Sequence, residues 1–149
     1  MSDAPARAYL RRQLEAHITE LGYSCKCDRA GEDEPEVARM NPLRRRLAYG
    51  ETVLHSDLRS KRCHERLILI SQRRTRRRSS ILFFIAVAAR DKPALDALLT
   101  RLEVQNGIRG GHVHVVPIAP PAAPATRAPA TRAPAPRARA TRARATQRA

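Results

Sequence analysis

The chain has 149 residues, the size of one ordinary domain, and its 29 Lys plus Arg against 14 Asp plus Glu give a net charge of +15. No apolar run reaches the length of a membrane span, the start MSDAPARAYLRRQ lacks an apolar signal core, and three cysteines, an odd number, do not suit a secreted disulfide framework. The composition therefore predicts a basic protein of the reducing cytoplasm, and five aromatic residues are too few for a platform on which nucleic-acid bases stack.

In chain order, Arg7 to Leu21 sets Leu10, Leu14, Ile18 and Leu21 at helical spacing, and Gly22 supplies the stop. Tyr23 to Asp28 alternates Tyr23, Cys25 and Cys27 with polar residues, the period of a half-buried strand. After the acidic loop GEDEP comes a short second strand, Glu36 to Met40. Asn41-Pro42 opens a turn through Arg44, Arg45 and Arg46, and Leu47 to Leu54 returns as the third strand. Ser56 or Asp57 caps a predicted helix running to about Arg74, although its stretch Leu67-Ile68-Leu69-Ile70 is also compatible with a strand. Ile81 to Ala89 is apolar on both faces, as expected of a central strand covered by helices. Lys92 to Val104 puts Leu95, Leu98, Leu99 and Leu102 on one helical face, Asn106-Gly107 ends it, and His112 to Ile118 is the last strand.

The remaining 31 residues differ in kind. From Ala123 the chain repeats Ala-Pro-Ala-Thr-Arg with a period of five, and between Ala119 and Ala149 it carries seven Arg and no acid. Such a segment cannot bury a core and is expected to be disordered, an electrostatic arm for polyanions or the mere product of a GC-rich repeat. The division is thus 1–118, an α/β domain with a mixed sheet and flanking helices, and 119–149, an Arg/Pro/Ala-rich tail.

The order of helix, three-strand meander, helix and strand sets acids on two adjacent strands, Glu36 in Pro35-Glu36-Val37 and Glu51 in Gly50-Glu51-Thr52-Val53. In this arrangement the chain resembles the PD-(D/E)xK nuclease superfamily, the restriction-endonuclease-like fold, with Pro-Asp on one strand and Glu-x-Lys on the next. The resemblance covers about Arg7 to Ile118 by element order, and its motif part is confined to Pro35-Glu36 and Gly50-Glu51. It implies a Mg²⁺ ion held by Glu36 and Glu51, which would polarise a phosphodiester and generate the attacking hydroxide. An acid of the first helix, Glu15 or Glu20, would join the ligands. Two departures stand out: the first acid is Glu rather than Asp, and the lysine position is Val53, which can neither donate a hydrogen bond nor carry charge. Lys61 is the substitute expected to supply the missing cation, with Arg62 and Lys26 as alternatives. The resemblance therefore implies a nuclease-like domain with a degenerate site, acting on DNA or RNA, and a homodimer as in many nucleases of this fold.

Two arginine clusters point to phosphate. Arg44, Arg45 and Arg46 occupy one turn, while Arg73, Arg74, Arg76, Arg77 and Arg78 precede the apolar strand, a density that repels itself unless a polyanion neutralises it. Cys25-x-Cys27, Cys63-His64 and His112-x-His114 lack the spacers of common structural zinc sites and are expected to be packing residues. The expected function is nucleic-acid binding by a divergent, metal-dependent nuclease-like domain. The alternative is a non-enzymatic basic module that docks on an acidic protein or another polyanion through its clusters and tail.

Overall fold

A computed structural model describes residues 3–27, 31, 33–104 and 112–123. It is an α/β structure in which one five-stranded mixed sheet lies between helices. Helix α1 (Asp3–Glu20) leads into β1 (Cys25–Lys26), β2 (Val37–Asn41) and β3 (Arg46–Val53), followed by a 3₁₀ turn (Ser56–Arg59) and α2 (Lys61–Ser71). Strand β4 (Leu82–Ala88), a second 3₁₀ turn (Ala89–Asp91), α3 (Lys92–Arg101) and β5 (Val113–Ile118) complete it. The strands lie in sequence order. β1, β2 and β3 form an antiparallel meander, and β4 and β5 add in parallel to β3. The tail beyond Ala123 lies outside the described residues.

Each face of the sheet has its own core. Leu10, Leu14 and Ile18 of α1 pack with Val37, Ala48, Phe84 and Ala86 on one side. Leu67 and Ile70 of α2 and Leu95, Leu98 and Leu99 of α3 pack with Tyr49, Val53, Phe83, Ile85 and Val87 on the other. β4 feeds both cores by simple alternation, which is why its sequence is apolar throughout.

Element ends depart from the sequence expectations where local hydrogen bonding overrides periodicity. α1 already includes Asp3, ahead of the expected Arg7, and Pro5 is tolerated in its first turn, where no amide hydrogen is needed. It ends in a Schellman arrangement: Gly22 at φ 98° donates to the Thr19 carbonyl at 2.9 Å, and Tyr23 to that of Ile18 at 3.2 Å. The Tyr23 amide is thereby spent, and β1 shrinks to two residues; Asp28, its expected end, lies outside the described residues. The single helix expected from Ser56 to Arg74 is two pieces. Ser60 is extended (ψ 119°), and its hydroxyl accepts from the Cys63 amide at 3.4 Å, starting α2 afresh. α3 stops at Arg101 rather than Val104, since Glu103 turns left-handed (φ 56°) and Val104 donates back to the Leu99 carbonyl at 3.0 Å. Asn106-Gly107 is outside the described residues.

Candidate functional site

The antiparallel register pairs Val37 with Gly50, which sets Glu36 beside Glu51 at the C-terminal end of β3. Their closeness is direct: the Glu36 amide donates to Glu51 Oε1 at 2.9 Å. Glu51 alternates with Tyr49 and Val53, so it points into the core on the α2 side and is only 3% exposed. A carboxylate in that position requires a partner, and Arg66 of α2 provides one. Its Nε and one terminal nitrogen reach the two oxygens of Glu51 at 2.9 Å each, a bidentate pair, and the same guanidinium donates to the Glu34 carbonyl at 2.5 Å. Burial pushes the Glu51 carboxyl above its ordinary value, with Arg66 opposing, and the hydrogen bonds that Arg66 donates to Glu51 raise the Arg66 guanidinium.

A second pair completes the cluster. Arg7 of α1 donates to Glu36 Oε1 at 3.3 Å, to Asp57 Oδ2 at 2.6 Å and to the Thr52 carbonyl at 3.0 Å, while the Thr52 hydroxyl donates to Glu36 Oε2 at 2.7 Å. Asp57 also accepts from the Leu54 amide at 2.9 Å, which fixes the 3₁₀ turn against β3. Burial works against the charge on Arg7, but Asp57 and Glu36 outweigh it and raise its value. These side chains surround a cavity of about 300 Å³ whose remaining wall includes Ser60, Arg62 and Cys63. Burial, reinforced by Asp57 and Glu51, pushes the Cys63 thiol up to about 12, so it stays protonated and is no nucleophile at neutral pH.

These residues do not fit a Mg²⁺ ion. All four oxygens of Glu36 and Glu51 already accept hydrogen bonds from guanidinium, amide or hydroxyl groups. A cation at the ~2.1 Å that magnesium requires would have to displace Arg66 and then sit beside its positive charge. Among the described residues, no group of three or more His, Cys, Asp and Glu side chains is placed to hold a metal. Val53 is buried in the core under α2 and α3 and also lines this cavity, an apolar wall where the resemblance expects a lysine.

The other anticipated residues lie elsewhere. Lys61 is 90% exposed and faces Glu65 on its own helix at 3.6 Å, away from the cavity. Glu15 pairs with Arg11 and with the buried Arg39 of β2, and Glu20 is exposed, so α1 sends a cation rather than an acid into the site. Lys26 is on the edge strand, two strands from β3. Sequence reasoning passed over Arg7, Arg66, Thr52 and the role of Asp57. One signal was available: an acid alternating with Tyr49 and Val53 must find a cation, and Arg66 stands among Cys63, Leu67 and Ile70 on the inward face of α2.

A different site occupies the other end of the sheet, about 17 Å along β3 from Glu51. There the turn with Arg44, Arg45 and Arg46 and the loop with Arg76 and Arg77 line one groove of about 1100 Å³, together with Leu43, Ser79 and Ser80. The buried His112 anchors its floor, its Nε2 lying 2.7 Å from the Ser71 carbonyl. Arg73 and Arg74 are engaged otherwise. Arg73 pairs with Glu34 at 3.1 Å, donates to the Asp33 carbonyl and lies over the Tyr49 ring, and Arg74 donates to carbonyls at the end of α2. Compared with protein-family models, curated proteins and solved structures, the chain matches none.

Proposed function

We propose that the chain is a nucleic-acid-binding domain with a restriction-endonuclease-like core, in which arginines have taken over the carboxylates that would hold a metal. The core reading is supported by the element order: a helix, an antiparallel meander, a helix and a parallel strand. One observation carries the binding function. Two arginine clusters about thirty residues apart in sequence converge on the walls of one open groove, where five guanidinium groups face a shared space. A polyphosphate chain neutralises such a surface and releases its own counterions, and this is the main source of sequence-independent affinity for nucleic acid. Glu36 and Glu51, held by Arg7 and Arg66, act as structural members of the fold and leave phosphodiesters uncleaved.

The test uses the full chain with Arg44, Arg46, Arg76 and Arg77 all changed to Gln. Fluorescence anisotropy with a labelled duplex should show affinity falling and the logarithmic salt dependence weakening by up to ~3.6, at about 0.9 per phosphate contact. Unaltered binding by this variant would overturn the reading. Equal affinity of the wild type for polyglutamate of matched charge would transfer it to an acidic protein partner. Plasmid nicking in Mg²⁺ or Mn²⁺ should be absent in the wild type, and cleavage abolished by Glu51→Gln would refute the non-cleaving site.

A further inference from the structure

The loop joining β2 to β3 carries two features that packing within the chain does not explain. Leu43, at its tip, is 94% exposed, by far the most exposed of the large apolar side chains described. Arg45, two residues on, has φ 49°, in the left-handed region that hindrance at Cβ disfavours for every residue except glycine. It is exposed and forms no side-chain hydrogen bond or ion pair among the described residues. The loop is nevertheless firmly closed. Asn41 pairs with Arg46 across it, and Asn41 Oδ1 accepts from the amides of Leu43 and Arg44 at 3.0 Å each. An apolar side chain is thus held out in water at the apex of a rigid turn, flanked by three arginines.

The facing wall of the groove repeats this design. Arg74 bridges Ser80 in antiparallel fashion, Thr75 donates to the Ser79 carbonyl at 3.0 Å, and Arg78 donates to the Thr75 carbonyl at 2.8 Å. Arg78, with φ 60°, takes the left-handed position that short hairpins usually give to glycine or asparagine. Two hairpins therefore face one another, each holding an arginine where backbone conformation favours glycine. Of the three described non-glycine residues with positive φ, Glu103 ends α3, while Arg45 and Arg78 stand on these two exposed hairpins, where backbone strain marks a candidate binding site.

We infer that the Pro42 to Arg46 loop inserts into a groove of a nucleic-acid duplex, Leu43 wedging against a base step while Arg44 to Arg46 and Arg76 to Arg78 straddle the flanking phosphates. Apolar wedges flanked by cations unstack a base step and bend the duplex, which brings more phosphate within reach. A duplex is the partner because the groove offers no exposed ring for stacking single-stranded bases: His112 on its floor is buried and held by the Ser71 carbonyl, Tyr23, Tyr49, Phe83 and Phe84 are buried, and Tyr9 is half-buried at the opposite end of the sheet. This inference rests on the proposed nucleic-acid binding and adds to it the element that enters the duplex.

The experiment uses the full chain and a 20-base-pair DNA duplex, at roughly two helical turns, with a fluorophore at each end. Leu43→Ala, at an exposed site, leaves the fold intact. It should lower affinity about tenfold, the equivalent of exposing one leucine side chain, leave the salt slope unchanged and abolish the shortening of the end-to-end distance. Arg45→Gly should raise the midpoint of urea denaturation while weakening binding and reducing the salt slope by about 0.9. Wild-type affinity and wild-type end-to-end distance with Leu43→Ala would overturn the wedge, even where the four-arginine variant loses binding. Retained binding by that four-arginine variant would instead refute the nucleic-acid reading on which the wedge depends.

Discussion

The pair of Glu51 and Arg66 shows how strongly one residue can depend on another. Removing the guanidinium leaves a carboxylate buried without a counter-charge, so Arg66→Ala should destabilise the fold by about 3 kcal/mol or more, read from urea denaturation. Replacing the acid has a different effect, one that varies with pH. Burial raises the Glu51 carboxyl in the folded chain above its unfolded value. The stability this group contributes is complete below the unfolded value and is lost as pH rises through the folded one. Gln cannot ionise, so the stability of Glu51→Gln relative to wild type should improve from pH 4.5, the ordinary glutamate value, upward and then level off. An opposite slope would show that Arg66 outweighs burial. The acids themselves were legible in the sequence, because strand alternation and a short turn place Glu36 opposite Glu51. Their partners were not: Arg7 is 50 positions from Asp57, and nothing local marks which of 26 arginines closes a given pair.

At the scale of elements, the close approach of α1 to the sheet depends on Gly50. A Cβ there would come within 2.8 Å of Leu14 Cδ2 and 3.1 Å of both Ile18 Cδ1 and Val37 Cβ. Gly50→Ala should therefore cost about 1–3 kcal/mol through overpacking, a loss measurable as a lower denaturation midpoint. The strands and helices with strong apolar periodicity were readable in advance, β4 and α3 most plainly. The break before α2 was concealed by competing signals, since Ser56, Asp57 and Ser60 all suit a helix start and only Ser60 captures the Cys63 amide. The short β1 was hidden because the same Tyr23 amide serves both helix termination and strand pairing in the sequence pattern.

For the whole molecule, charge is distributed along the strand direction. The arginine groove lies at the end where β3 and β4 begin, and the chain leaves β5 at the opposite end, where the Tyr9 hydroxyl donates to the Ala119 carbonyl at 3.1 Å. Seven further arginines follow in the sequence. Changing all seven to Gln in the full chain should weaken the salt dependence of duplex binding by at most ~6, and identical slopes would show that they touch no phosphate. The two margins of the sheet have another consequence. One margin is a strand of only two residues, and the other, β5, includes Pro117, which has no amide hydrogen to offer an incoming strand. Both borders disfavour cross-β growth, so a sheet whose strand β4 is apolar on both faces is shielded from stacking into fibrils by its outermost strands, and Pro117→Val would weaken that protection.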